Sequence, residues 1–145
     1  MTASSLNPPH PDFRTLAIPS PFISLSVGQM FERADEGEFV LGLWTEERHA
    51  NARGQTHGGL ILSLADISLG LALQRQDPDV RATPTIHVDA DFVSAAPVGQ
   101  WLEFRTRVVR IGGSVGFSQG LVVADDRTVT RISGVFKLMR ASRDS

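Results

Sequence analysis

The chain has no cysteine, which excludes disulfides, thiolate zinc sites and a cysteine nucleophile. It also lacks an apolar run of about 18 residues, and its Ser/Pro-rich start carries no basic segment followed by an apolar stretch. Neither a membrane span nor a signal peptide is therefore legible, and the expected location is the cytoplasm. No charge of one sign dominates: Lys+Arg 14 stand against Asp+Glu 16, a formal net charge of −2. That balance argues against nucleic acid or an anionic membrane as the main partner. Lysine is almost missing, with Lys137 alone among the arginines, a bias that reads as genomic base composition. What is present is an ordinary globular composition, 41% hydrophobic and 21% charged, over 145 residues. That length suits one domain with a real core.

Five prolines, at positions 8, 9, 11, 19 and 21, mark residues 1–21 as an arm with one short helical turn around Asp12 to Leu16. A single domain is expected over 22–140, followed by a tail at 141–145. Within it Leu25 to Arg33 reads as a strand, Asp35-Glu36-Gly37 as a tight turn, and Glu38 to Thr45 as the hairpin partner. Glu46 to Thr56 is loop-like, and Gln74 to Pro84 is a loop broken at Asp77-Pro78-Asp79. Strands follow over Thr85 to Val93, Trp101 to Ile111, Ser114 to Ala124 and Thr128 to Met139. In the first of these, strict alternation puts Thr85 on a polar face with His87, Asp89 and Asp91, opposite Ile86, Val88, Ala90 and Phe92.

Between the hairpin and these strands lies the stretch that organises the chain. Leu60 to Leu73 is apolar almost all the way round, with Asp66 its only charge and Ser63 and Ser68 its other polar side chains. A helix apolar on every face belongs in a core. A carboxylate in its middle is costly unless it is paired, hydrogen-bonded or used. Burial favours the protonated carboxyl, a property common among catalytic acids and bases. The helix begins at His57-Gly58-Gly59, where small residues leave the first backbone N–H groups open to an anion or a developing oxyanion. Eight residues separate Gly58 from Asp66, roughly 12 Å along a helix axis. Both cannot reach one carbon from the same helix. If both serve one site, a second copy must lie antiparallel beside the first, which makes the expected assembly a homodimer with shared sites. The order of elements predicts an α+β fold, one long buried helix wrapped by a curved antiparallel sheet.

The pattern Asn51-x5-His57-Gly58-Gly59-x6-Asp66, with a hairpin before it and a meander after, resembles the hotdog-fold thioesterase superfamily. The likeness is strongest to its phenylacetate-pathway and small acyl-CoA thioesterase branch and covers roughly Val27 to Leu138. The resemblance implies an acyl-CoA thioesterase needing no cofactor and no metal, CoA being part of the substrate. It implies Asp66 as base or nucleophile and the Gly58 N–H as oxyanion donor. Asn51 would orient substrate or water, His57 would stand at the helix entrance with Gly59 beside it, and Thr85 would contribute a hydroxyl. In the family dimer, Asp66 and Thr85 of one subunit meet Asn51 and Gly58 of the other, and two dimers can join as a tetramer. CoA phosphates would lie at the turn between late strands, here Gly112-Gly113-Ser114 with Arg110 nearby. Arg105, Arg107 and Arg110 also read as a solvated strand face.

Other readings stay open from the sequence: a hydratase or dehydratase on acyl thioesters, which would lean on a catalytic His57, or a non-catalytic acyl-ligand-binding module. Two patterns are set aside. Gly112-Gly113-Ser114-Val115-Gly116 matches a nucleophile elbow in spelling, but it sits between two strands, where the elbow needs strand-turn-helix. His87-x-Asp89-x-Asp91 reads better as a polar strand face than as a metal site.

Overall fold

The computed structural model describes residues 6–141. The remaining four residues of the expected tail and the first five of the expected arm lie outside the described residues. Strand β1 (Arg14–Leu16) is followed by helix α1 (Pro21–Ser26), β2 (Met30–Asp35) and β3 (Glu38–Trp44). A 3-10 turn over Glu47–His49 leads to the long helix α2 (Gly58–Gln76). Then come β4 (Val80–Ala82), β5 (Thr85–Phe92), β6 (Trp101–Ile111), β7 (Val115–Ala124), β8 (Arg127–Lys137) and β9 (Met139–Arg140). Seven strands form one sheet in the order β1-β2-β3-β6-β7-β8-β5, and β4 pairs with β9 beside it. Every pairing is antiparallel. One long helix against a large antiparallel sheet is the expected hotdog fold.

Helix α2 packs on the sheet through Ile61, Leu64, Ala65, Leu69, Ala72 and Leu73, all buried, against Leu41, Phe104, Ile132 and Phe136. Full burial of each large aliphatic side chain contributes about 1.5–3 kcal/mol. Its two serines have partners, one within the helix and one on the sheet. Ser63 donates to the Gly59 carbonyl at 2.9 Å, and buried Ser68 lies 3.5 Å from the Phe104 carbonyl and the Thr106 hydroxyl. The sheet covers one side of the helix only. On the other side Leu60, Ile67 and Leu71 are half-buried and Leu62 is exposed. The neighbouring edge strand β5 likewise leaves Ile86 58%, Phe92 55% and the following Val93 62% exposed.

The N-terminal expectations need correction. Asp12 to Leu16 is not a helical turn: Arg14–Leu16 is a strand paired with β2, and Phe13 is buried beside Trp101. Packing therefore begins before the expected boundary at residue 22. Leu25 to Arg33 is not one strand either. Helix α1 occupies Pro21–Ser26, and β2 begins only at Met30. Proline at the first helical turn has no N–H to waste, and Gly28 at φ +88° receives the chain as the helix ends. The loop expected over Gln74 to Pro84 is shorter, because α2 continues to Gln76 and β4 intervenes. Glu32, buried on β2, ties these parts together by accepting from Arg14 at 3.0 Å and from Arg75 of α2 at 2.9 Å. Desolvation opposes its charge, but the two guanidiniums outweigh it and hold the carboxyl below its ordinary range.

Candidate active site

Asp66 lies on the uncovered side of α2, half-buried, at one end of an open groove of about 590 Å³. The Thr85 hydroxyl donates to its Oδ1 at 2.5 Å. Strict alternation would have turned Thr85 the same way as His87. A register shift between Thr85 and His87 against β8 breaks that parity. A bulge inserts one residue and re-aims the side chain before it, so Thr85 faces the helix while His87, Asp89 and Asp91 stay exposed. The expected polar face is thus corrected at its first residue. Beyond it, exposed His87 and Asp89 are 3.7 Å apart and Asp91 pairs with Arg131 at 2.8 Å. Among the described residues, no group of three or more His, Asp and Glu side chains is placed to hold a metal.

The other expected residues gather at the N-terminus of α2. His57 is the N-cap, and its Nδ1 accepts the Gly59 N–H at 2.8 Å. The N–H groups of Leu60 and Ile61 turn back to the His57 carbonyl. Of the helix's first four N–H groups, only that of Gly58 finds no acceptor among the described residues. An open N–H at the positive end of a long helix is a ready hydrogen-bond donor to an oxyanion. His57 therefore does two things here: it consumes Gly59 and leaves Gly58 as the available donor.

Asn51 is held by its own loop. Its Oδ1 accepts from the Arg53 N–H at 2.8 Å and the Gln55 N–H at 3.1 Å. Two backbone donors require the oxygen at that position, so the amide orientation is fixed by its partners. Nδ2 is left without a partner among the described residues. Asn51 and Gly58 line one cleft of about 420 Å³ together with Phe92 and Ser94. The Phe92 ring lies 3.4 Å from where a Cβ on Gly58 would stand. Sequence reasoning placed Phe92 on a strand face and missed its position here; the aromatic closing an alternating strand was the available signal.

The loop is braced from below by His49, which is buried. Its Nδ1 accepts the Glu46 N–H at 3.0 Å, its Nε2 donates to the Val27 carbonyl at 2.9 Å, and its carbonyl accepts the His57 N–H at 2.8 Å. That arrangement needs the neutral ring, and burial pulls the pKa below the ordinary 6.5, with the Val27 bond opposing. A histidine kept neutral contributes stability that is complete above its ordinary pKa and is lost as pH falls through the lowered folded value. Thermal unfolding followed from pH 7.5 downward is expected to show stability dropping below about pH 6.5. The drop should be shallower in His49→Gln, whose amide can make both bonds without titrating. Equal slopes would remove His49 from this role.

The expected CoA-contact residues sit elsewhere. Gly112 and Gly113 form the β6–β7 hairpin turn, where the Arg140 guanidinium donates to their carbonyls at 2.9 and 3.2 Å. The Ser114 carbonyl accepts the Leu138 N–H at 2.8 Å, and Arg110 is exposed. None of the four lines the Asp66 groove or the Gly58 cleft. Strand β7 follows Ser114 directly, where a nucleophile elbow needs a helix.

A half-buried carboxylate held by a hydroxyl thus lies in one groove, and an open helix-terminal N–H with a free side-chain amide lies in another. A sequence model of the Thioesterase superfamily matches residues 53–130, a span that includes both Gly58 and Asp66. The Pseudomonas aeruginosa protein named "Putative esterase PA0474" is 36% identical over 127 residues, covering 87% of this chain and 94% of that protein. Among solved structures, zebra fish thioesterase superfamily member 2 superposes with a TM-score of 0.75 at 18% identity, over 83% of this chain and 89% of the other. The E. coli PaaI protein of the phenylacetic acid degradation operon gives 0.70 at 21% identity, over 82% and 85%. These two likenesses show a shared fold, and the sequence matches carry the kinship further: the chain belongs to the thioesterase superfamily.

Proposed function

We propose that this protein is an acyl-CoA thioesterase, hydrolysing an acyl-CoA to free acid and CoA in sites shared between two subunits. The observation that carries the reading is the separation of the two half-sites. One chain holds a carboxylate without a nearby oxyanion donor, and the donor without a carboxylate, on opposite ends of the same helix segment. The edge strand β5, with Ile86, Phe92 and the following Val93 exposed, and Leu60 and Leu62 in the first turns of α2 offer the apolar surface that a second copy would bury. An antiparallel copy would set Asp66 of the partner subunit against Gly58 and Asn51. A further pairing of dimers into a tetramer is compatible with this arrangement.

In that site the thioester carbonyl oxygen accepts from the Gly58 N–H, and Asn51 Nδ2 orients the substrate or the water. Thr85 occupies Asp66 Oδ1, which leaves Oδ2 to act. That oxygen takes a proton from water as it attacks the carbonyl carbon, or itself attacks to give an anhydride that water then opens. Collapse of the tetrahedral species expels the CoA thiolate, and the acid is released.

Free-thiol release from a panel of acyl-CoAs tests the reading. Turnover is expected in the wild type and also in His57→Ala, because the ring serves as a helix cap whose loss costs about 0.5–2 kcal/mol of stability. Loss of activity in a folded His57→Ala, or consumption of an enoyl substrate without thiol release, would favour the hydratase reading. Tight acyl-CoA binding with no turnover would mark a binding module.

A further inference from the structure

The groove that begins at Asp66 has a second wall that the catalytic reading does not use. Asp66, Ile67, Gly70, Leu71 and Gln74 share one face of α2, and Leu16, Ile18 and Pro19 from the N-terminal segment stand opposite. From Asp66 to Gln74 this face runs roughly 12 Å, the reach of an acyl chain of roughly eight to ten carbons. Its lining carries no aromatic ring. Two of its polar groups pair with each other, Gln74 donating to the Thr83 hydroxyl at 3.1 Å. Arg75 turns away to Glu32 at 2.9 Å, and Arg81 stands exposed at the rim. The aromatic side chains Phe13, Trp44 and Trp101 cluster together away from this groove. Gly70 lets Thr83 pack against the helix, since a Cβ there would come within 2.7 Å of the Thr83 hydroxyl.

We propose that the segment Leu16–Pro19 and the α2 face from Ile67 to Gln74 form the acyl-chain site, and that it selects unbranched aliphatic acyl groups of medium length. The proposal rests on the thioesterase reading for the placement of the carbonyl at Asp66. The chain lies along the helix away from that carboxylate, with Ile18 closing over it. The N-terminal segment, anchored through β1, is then a specificity element. Aryl acyl groups, flat and wide, find no stacking partner along this groove, Phe92 of the Gly58 half-site standing at the carbonyl end.

Dissociation constants for S-alkyl-CoA thioethers, from ethyl to dodecyl, test the site, because thioethers bind without being hydrolysed. Affinity is expected to rise about threefold per methylene, since each buried methylene favours binding, and to level off near decyl. Ile18→Ala, which opens one wall, and Leu71→Phe, which fills the groove, should each cut the decyl-to-ethyl affinity ratio about tenfold. A series flat in chain length would overturn the proposal, as would a ratio that both variants leave untouched or tighter binding of a benzyl than of an octyl thioether. Thiol release from the matching thioesters, measured in parallel, reports on hydrolysis alone. A steep thioether series with no turnover supports the groove and removes the hydrolase reading. Turnover with a flat series does the reverse.

Discussion

Asp66→Asn is expected to lower kcat by about 10²–10⁴, the range that a positioned general base contributes, with KM for acyl-CoA changed far less. The substitution keeps the shape of the side chain, and the amide oxygen can still accept from Thr85, so the helix and the groove persist. What disappears is the oxygen that takes water's proton or attacks the carbonyl. The same loss follows for either chemical route, so the size of the effect does not choose between them. Labelled water does: oxygen-18 found in Asp66 after single turnovers requires the anhydride, opened by water at the Asp66 carbonyl carbon, because general-base catalysis makes no bond to that carbon. A fall of less than tenfold in kcat would show that Asp66 is a structural carboxylate steadied by Thr85.

Gly58→Pro should reduce kcat by about 10²–10³, the effect of removing one oxyanion donor, while leaving the melting temperature nearly unchanged. A backbone N–H is rarely removable without damage, but the geometry permits it here. Gly58 is the first residue of α2, where proline is well tolerated because the N–H has no intrahelical partner. His57 before it already has an extended backbone, φ −63° and ψ 131°, as a residue preceding proline requires. The new ring would meet Phe92 at ordinary contact distance, 3.4 Å at the Cβ. Gly58→Ala is the control: it adds the same Cβ and keeps the N–H. Near-equal activity of the proline and alanine variants would show that the helix terminus binds no developing charge.

The centre of the molecule was legible because α2 and the late strands have strong patterns. One charge in an otherwise apolar helix singled out Asp66, and alternation placed Trp101–Ile111 to the residue. The N-terminal region was misread for a local reason. Ser20-Pro21 and Gly28 bracket α1 with a proline start and a glycine stop, yet the apolar residues between them suggest a strand when read by alternation. Thr85 was misplaced because a bulge changes parity, and a bulge leaves no trace in the alternation itself. The difference between the two glycine amides was also hidden. Sequence shows two glycines at a helix entrance, whereas only the folded cap reveals that His57 takes one amide and frees the other. The cleft around Asn51 depends on a loop closing on its own side chain, through bonds that no periodicity records.

The central claim is that each active site draws on two chains, and mixing two inactive variants tests it most directly. Asp66→Asn carries its lesion in one half-site and Gly58→Pro in the other. If the two variants are unfolded together and refolded, mixed dimers hold one site with both lesions and one with neither, as two-fold symmetry dictates. Statistical mixing then restores about a quarter of wild-type activity, half of the dimers each having one good site. Restoration at that level, absent when either variant is refolded alone, is the predicted result. Refolded mixtures that contain hybrid dimers yet remain as inactive as their parents would contradict the account and place the whole reaction within one chain.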